Sequence, residues 1–560
     1  MNKKGFTLVE LLAVIIILAI VLAIAIPVVS SLIENSKKSA FESEAKLLIK
    51  WIDYKKLEDP SFDQTIINET NMGDLLNMSN DNIETLSVEI IDGVKTIIIK
   101  GKEDWSGLYV CGTYLNMQVV TSLDECSGGG LELSVTHPEL NTGMIPIYYD
   151  DVNLVWKKAD ETNGSNQWFD YDNQKWANVV LVTKASRATY QSAEVGTTIN
   201  EADVLAYLVW IPRYKYKLFN VGALATSPQA IEVVFERKTD PKSTGSTNDN
   251  YLTHPAFTFG ETELAGIWVG KFELTGNITT PTVKPNIISL RSQTLSTFYT
   301  TMRKIDATVD TTGVYGLTNT HDAHMMKNTE WGAVAYLSHS IYGKYGNSSY
   351  NGNNKEIYLN NSNSYYTGRS MGAVGGSGIK TPTNEYIGNG YYTYDGKCAT
   401  IDANLPTPCN SGSVGQNLSD KTLAYGASTT GNIYGIYDIS GGSREYVMGA
   451  QYNNDNTTIN VSSTGFLQAT IDDANMTKYI DKYTFGTTQT DQSAYNRRQL
   501  GDATGETRGW NGDYAYFIYS SYPWFLRGGH YYDLSVAGIF YFRRGEGQFL
   551  SFIGSRLIVS

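Results

Sequence analysis

Two histidines with an aspartate between them form one group of this chain that could bind a metal. His321-Asp-Ala-His324 could ligate one ion if it lay on a helix. No third ligand is recognisable nearby, so a structural or surface role is the alternative. The aspartate pairs at residues 150–151 and 472–473 could hold structural Ca²⁺, but neither has the EF-hand spacing. We therefore expect solvated loops there, with no bound metal or cofactor.

Two catalytic motifs are missing from the sequence. It contains no H-E-x-x-H zinc pair and no P-loop lysine pattern. Zinc-dependent hydrolysis and phosphoryl transfer of these two kinds therefore have no candidate residues.

The four cysteines form two close pairs along the chain. Cys111 and Cys126 are fifteen residues apart, and Cys398 and Cys409 are eleven apart. In an exported chain such neighbours are expected to form two local disulfides. Four free buried thiols are the alternative.

An apolar run lies near the N-terminus. From Leu11 to Val29 no residue is charged and only Pro27 interrupts the helical pattern, so the run is long enough to cross a bilayer. Glu10 stands at its edge, where a lone carboxylate needs a cation or the membrane interface. The small residue Gly5 precedes the run, unlike the cleavage site of a removed secretory signal. The pattern predicts a retained membrane helix.

The residues around this edge are Lys3-Lys4-Gly5, Phe6 and Glu10, and their order resembles the class III leader of type IV pilins and pseudopilins. The resemblance implies that a prepilin peptidase cuts between Gly5 and Phe6, and that the new N-terminus is methylated. It also implies that Glu10 offsets the N-terminal amine of a neighbouring pilin subunit in a filament. An ordinary membrane anchor with Glu10 at the headgroups is the alternative.

The length and charge of the chain limit the number of domains and the kinds of partner that we expect. The chain has 560 residues, of which 41% are apolar, and this is enough for two or three domains with real cores. Its formal net charge is −13, and no Lys/Arg block occurs outside the extreme N-terminus. A nucleic-acid partner is therefore not expected.

The N-terminal part has the pattern of a long helix followed by a small sheet. Residues 30–56 keep apolar residues at helical spacing among charges. Residues 87–91 and 95–100 are β-rich and flank Asp92-Gly93, a strong hairpin signal. Residues 107–120 supply another strand or two. A long helix with a small antiparallel sheet is similar to a pilin head.

Beyond residue 130 the chain is rich in glycine, tyrosine and turn signals, and residues 346–366 should be mostly loop. Apolar islands recur within it and predict short buried strands in long loops. The islands are residues 207–213, 265–272, 331–337, 432–440 and 525–529.

Five motifs in this part of the chain, in this order, resemble the formylglycine-generating-enzyme (sulfatase-modifying factor) family. They are residues 209–212 (VWIP), 327–331 (KNTEW), 435–442 (GIYDISGG) with Glu445, 527–529 (RGG) and 554–556 (GSR). The resemblance implies a C-type-lectin-like fold. Catalytic members need late cysteines to bind copper, and this sequence has none after Cys409. We therefore expect the fold without an enzyme activity. A formylglycine-generating-type copper oxidase acting on a substrate cysteine is the alternative, if Cys398 and Cys409 supply the site.

The C-terminal stretch 527–556 resembles the variable region of proteins diversified by diversity-generating retroelements. Residues 527–529, 537–542 and 553–554 read as scaffold. Most of the residues between them could arise by mutating an asparagine-type codon. For the phenylalanines among them, a place in the buried core is the alternative. The predicted ligand-contacting residues are His530, Tyr531, Tyr532, Asp533, Leu534, Val536, Arg543, Gly545, Phe549, Leu550, Ser551 and Phe552.

Together these patterns predict an α+β protein, with a long N-terminal pilin helix and small antiparallel sheet, then a large loop-rich C-type-lectin-like domain. The predicted segments are a leader (1–5), a transmembrane helix (6–56), a small β head (57–126), a glycine-rich linker (127–139) and the lectin-like domain (140–560).

The predicted function is ligand binding at the cell surface or on a pilus, with the head extracellular. The partners are an unknown protein or glycan ligand, a prepilin peptidase, other pilin subunits and the membrane. A structural minor pilin is the alternative from a different class.

Overall fold

The computed structural model describes residues 36–560 except 57, 60–61, 77, 92–93, 113–116, 123–134, 162, 164–165, 351–354, 373–387 and 389. The chain divides into two compact units, Met1–Ser134 and Val135–Ser560. Among the described residues, no helix is both long and apolar enough to cross a membrane. The predicted leader, Glu10 and the apolar run 11–29 lie outside them.

The first unit combines helix with a four-stranded antiparallel sheet. Helix α1 covers residues 36–56, and its apolar side (Phe41, Ile49 and Ile52 among others) is buried against the sheet core. The predicted hairpin is confirmed, since residues 83–91 pair antiparallel with residues 94–101. The elements are α2 (Met72–Leu76), β1 (Ile83–Ile91), β2 (Val94–Gly101), β3 (Tyr109–Gly112) and β4 (Met117–Val120), with sheet order β1-β2-β3-β4.

The second unit contains many short strands and few helices. Its helices are α3 (Lys184–Ser192), α4 (Leu295–Arg303), α5 (Asn328–Ser338), α6 (Thr422–Tyr425), α7 (Gln468–Ile471) and α8 (Gln492–Tyr495). Its strands are β5 (Met144–Asp150), β6 (Val155–Lys158), β7 (Asn178–Val182), β8 (Val204–Pro212), β9 (Tyr214–Lys217), β10 (Val233–Phe235), β11 (Tyr251–Thr253), β12 (Thr258–Phe259), β13 (Thr262–Glu263), β14 (Gly266–Gly270), β15 (Thr275–Gly276), β16 (Pro281–Thr282), β17 (Ala323–Met325), β18 (Arg369–Ser370), β19 (Tyr392–Thr393), β20 (Arg444–Gln451), β21 (Asp481–Tyr483), β22 (Trp524–Arg527), β23 (Phe542–Gly545), β24 (Ile553–Ser555) and β25 (Leu557–Val559).

Two sheets form the frame of this unit. A seven-stranded sheet has the order β17-β25-β14-β8-β7-β5-β6, so β25, from the last residues of the sequence, lies between two earlier strands. Strands β7 and β8 are almost entirely buried, which explains why they read as continuous apolar runs. A second sheet has the order β21-β20-β22-β23, and β24 also pairs with β20. This second sheet carries the segments that the sequence predicts to bind a ligand.

Two of the predicted strands are wrong. Residues 331–337 lie in helix α5, not in a strand. Every residue of α5 is buried, so its sequence has no polar side, and a run of apolar residues of this length does not distinguish a buried helix from a buried strand. The islands at 207–213, 265–272 and 525–529 do contain strands, namely β8, β14 and β22.

Residues 432–440 form turns instead of the predicted strand. The Lys271 ammonium group donates hydrogen bonds to the carbonyl oxygens of Ile433 and Gly435, at 2.6 and 3.0 Å. Asp438 adopts a positive φ of 63°. A buried cation thus satisfies backbone groups that a neighbouring strand would otherwise bind.

Cys398 and Cys409 form a disulfide, as predicted. Cys111 is also disulfide-bonded, and its predicted partner Cys126 lies outside the described residues. The bond at Cys398 sits in a small apolar cluster with Leu359, Met371 and Ala537.

A buried carboxyl group in the core of the second unit makes stability depend on pH. Burial raises the pKa of Glu506 to about 7 from an ordinary value of 4.5, despite hydrogen bonds from Gly501 N and Tyr336 Oη at 2.7 and 2.8 Å. The folded state therefore holds a proton that the unfolded state releases, and stability falls as pH rises from about 4.5 to about 7, by up to about 3 kcal/mol.

Glu506→Gln should remove this part of the pH dependence, because the amide stays uncharged. Thermal unfolding of the full chain at several pH values checks it. We expect wild type and variant to behave alike at pH 4.5 and the variant to be the more stable at pH 8. Parallel pH profiles would contradict the assignment.

Candidate functional site

Arg527 anchors the first half of the predicted binding region. Its guanidinium group is fully buried and donates to Asn328 Oδ1, Asp502 O and Ala503 O, each at 3.0 Å. It also lies 5.4 Å from the ring of Trp331, whose indole N–H donates to Ile539 O at 2.7 Å. Because β22 and the 537–542 turn are both tied to α5, the loop between them has fixed ends.

Arg556 anchors the other half. Its Nε and Nη2 donate to the two carboxylate oxygens of Glu445 at 3.0 and 2.5 Å, and its remaining donors reach Gly270 O and Tyr437 O at 2.8 and 3.0 Å. Both side chains are fully buried. A bidentate pair of this kind fixes orientation as well as position. It joins β24 and β25 to β20 and β14.

Two glycines turn the chain from β22 into the displayed loop. Gly528 and Gly529 have φ of 77° and 74°, a left-handed conformation that favours glycine. A Cβ on Gly529 would lie 2.7 Å from the Cβ of Ala537. The chain therefore doubles back closely here, and residues 531–536 form a short 3₁₀ segment.

The predicted contact residues are displayed in two segments, 530–536 and 549–552, which we call the candidate face. Tyr532 is 61% exposed and Phe549 is 62% exposed. The alternative that Phe549 lies in the buried core is therefore wrong. Val536 and Ser551 are also exposed. His530 joins the segments, since its ring centroid lies 5.4 Å from that of Phe552.

Asp533 serves the shape of the face. It accepts hydrogen bonds from Arg444 Nε and Nη2 at 2.9 and 2.6 Å and from His530 N at 3.0 Å. Burial favours its neutral form, but the bonds from His530 and Arg444 outweigh that effect and hold the pKa of Asp533 well below its usual range. Asp533 thus fixes the conformation of the loop, and both oxygens of its carboxylate already accept hydrogen bonds.

The other predicted contact residues lie at the margins. Gly545 is buried in β23, where a Cβ would meet Leu526 and Tyr446 at 3.1 Å, so it offers no surface to a ligand. Leu534 and Leu550 are half-buried against apolar clusters. Arg543 is half-buried and lies over the ring of Tyr514, away from the two displayed segments in sequence.

Two residues from two distant loops extend the face, and no pattern in the sequence indicated them. The Tyr365 ring lies 5.1 Å from that of Tyr531, and burial together with Tyr531 raises the pKa of Tyr365 to about 12. The Arg291 guanidinium stacks at 3.8 Å on the Tyr365 ring and donates to Ser551 O. Residues separated by more than 160 positions give no local signal, so sequence spacing could not have found them.

Burial divides residues 527–556 into two groups. The residues that read as scaffold, 527–529, 537–542 and 553–554, are all buried. Each of the predicted contact residues except Gly545 keeps part of its surface accessible. This segment therefore combines a fixed frame with side chains that project from it.

The remaining chemical candidates are engaged internally. His324 lies on β17 and not on a helix, between Asp322 and Glu330 at 3.2 and 3.1 Å. Burial lowers the pKa of His324, but these carboxylates outweigh burial and raise it. Among the described residues, no group of three His, Cys, Asp or Glu side chains could hold a metal ion. Asp150 and Asp473 bind backbone N–H groups of their own turns.

Comparison with known families gives a match at the N-terminus. Residues 1–26 match the prokaryotic N-terminal methylation motif, the leader of type IV pilin-like proteins. The N-terminus is therefore pilin-like, and the motif indicates a surface-exposed or pilus-associated protein. The motif implies processing by a prepilin peptidase and assembly with other pilin subunits. No curated protein matches the chain.

Proposed function

We propose that this protein is a pilus-associated or surface-anchored adhesin whose second unit binds a protein or glycan ligand through the candidate face. The observation that carries the proposal is the division of residues 527–556 into a buried frame and accessible side chains. Binding, not catalysis, is the proposed activity.

The composition of the face supports this proposal. Tyr531, Tyr532, Phe549 and His530 present large and fairly rigid contact surfaces, and tyrosine is enriched among the residues that dominate binding energy in protein interfaces. The ends of both displayed segments are tied to the core by Arg527 and Arg556. A rigid support lowers the entropy lost when a ligand binds.

We further propose that the second unit has a C-type-lectin-like fold related to formylglycine-generating enzymes. The order of the motifs supports this, as does the place of β25 between β17 and β14 in the main sheet. Cys398 and Cys409 are joined to each other, so neither presents a free thiolate to copper. No observation therefore favours the oxidase alternative.

A retroelement-diversified C-terminus is the third part of the proposal. The accessible positions of the candidate face hold residues that an asparagine-type codon reaches by adenine mutation. Substitution there would change the surface and leave the buried frame intact.

A direct test is binding of the full-length protein, held in nanodiscs and fluorescently labelled, to a panel of bacterial and host cells. The proposal expects saturable binding to at least one cell type that the Tyr532→Ala/Phe549→Ala variant loses. Binding to none of the panel, or equal binding by the variant, would count against it.

A further inference from the structure

A second cluster of aromatic and cationic side chains lies beside the candidate face. Four tyrosines from the 514–522 loop surround two arginines of β23, and all six side chains are half-buried. We call these residues the tyrosine–arginine patch: Tyr514, Tyr516, Tyr519, Tyr522, Arg543 and Arg544. Tyr514 N donates to Val536 O at 3.0 Å, so the patch borders the candidate face.

The patch is built around the Arg544 guanidinium group. Its central carbon lies 5.0, 5.7 and 5.4 Å from the ring centroids of Tyr516, Tyr519 and Tyr522. Arg543 lies 5.5 Å from the ring of Tyr514, and the rings of Tyr514 and Tyr516 are 4.2 Å apart. Aromatic faces attract a guanidinium group, but they do not accept its in-plane N–H groups as a carboxylate does.

The positive charges of the patch are not balanced locally. In the part of the chain that the structure describes, neither Arg543 nor Arg544 has a carboxylate within ion-pairing distance, whereas Arg444 and Arg556 each have one. Arg544 Nε and Nη1 are covered and have no hydrogen-bond partner. A covered donor without an acceptor costs free energy that an incoming acceptor would recover.

We propose that the tyrosine–arginine patch binds an acidic segment of a partner protein, with a carboxylate seated against Arg544. A small rotation of a surface tyrosine ring gives that carboxylate access to the guanidinium edge. Arginine matches a carboxylate through two parallel hydrogen bonds. Tyrosine and arginine together are the residues most enriched at the energetic centres of protein interfaces, which favours a protein over a polysaccharide. The patch shares only Arg543 with the predicted ligand-contacting residues, so the inference does not depend on the ligand of the candidate face.

The test measures binding of a fluorescein-labelled oligoglutamate peptide to the full-length protein in nanodiscs, by fluorescence anisotropy. We expect saturable binding that weakens as salt increases. Arg544→Gln and, separately, Arg543→Gln should each weaken it at least about tenfold. Arg369→Gln is the matched control: Arg369 also stacks on a tyrosine, at 5.2 Å from the Tyr366 ring, and loses the same charge. That variant should bind as wild type does.

Several results would overturn the inference. One is that wild type does not bind the peptide, and another is that both patch variants bind it normally while circular dichroism shows them folded. Binding of polygalacturonate in place of the peptide would contradict the partner class. The Tyr532→Ala/Phe549→Ala variant should keep peptide binding, so failure of the candidate face and failure of the patch give different results.

Discussion

Tyr532→Ala combined with Phe549→Ala is expected to weaken ligand binding at least about 100-fold while leaving the unfolding temperature nearly unchanged. Both side chains are more than 60% exposed, so their truncation leaves no cavity in the core. The Tyr532 ring centroid lies 6.3 Å from those of His530 and Tyr531. Within the described part of the chain, Tyr532 makes no other ring contact and Phe549 makes none. Their area is therefore available to a ligand.

A matched control separates this effect from a general loss of surface hydrophobicity. Val152 and Leu224 are also strongly exposed, at 89% and 61%, and lie on loops far from the candidate face in sequence. Val152→Ala combined with Leu224→Ala should leave cell binding unchanged. Equal loss of binding in both double variants would show that the assay reports non-specific adhesion.

Arg556→Ala is expected to destabilise the second unit by about 3 to 5 kcal/mol, because it leaves a buried carboxylate without its cation. Glu445 would lose two hydrogen bonds, and Gly270 O and Tyr437 O would each lose one. Glu273 and Asp438 lie close enough to affect Glu445 electrostatically. The measurement is chemical denaturation of the full chain followed by tryptophan fluorescence.

The deficit of this variant should shrink as pH falls. Burial and the neighbouring carboxylates raise the pKa of Glu273 well above its ordinary value, and burial raises that of Glu445. Without Arg556 both groups hold protons more tightly when folded than when unfolded, so stability is lost as pH rises. Arg508→Ala, at a half-exposed arginine stacked on Tyr495, should cost less than about 1 kcal/mol. A similar cost for both variants would contradict the role given to Arg556.

Local patterns predicted the elements that local forces determine. The hairpin of β1 and β2 follows from two β-rich runs around Asp92-Gly93, and strands β8 and β14 follow from short apolar runs. Helix α5 was missed because it is buried on all sides and therefore has no amphipathic period. Residues 432–440 were missed because Lys271, distant in sequence, binds their carbonyl groups.

In the candidate face too, local patterns predicted some features and contacts between distant segments determined the others. Exposure of Tyr532 and Phe549 agrees with the predicted alternation of frame and display. The other features of the face depend on contacts between segments that are distant in sequence. They are the ion pair of Asp533 with Arg444, the burial of Gly545, and the contacts made by Tyr365 and Arg291. No spacing rule within residues 527–556 contains that information.

The most direct test of the central claim is to sequence the DNA around this gene and the gene's 3′ end in independent isolates. We predict a near-copy of the segment encoding residues 527–560 beside a reverse transcriptase gene. Differences should occur only where the copy has adenines, and they should fall on accessible positions such as Tyr532 and Phe549, sparing Arg527 and Arg556. Absence of any such copy, or differences spread equally over the buried frame, would contradict a diversified binding face.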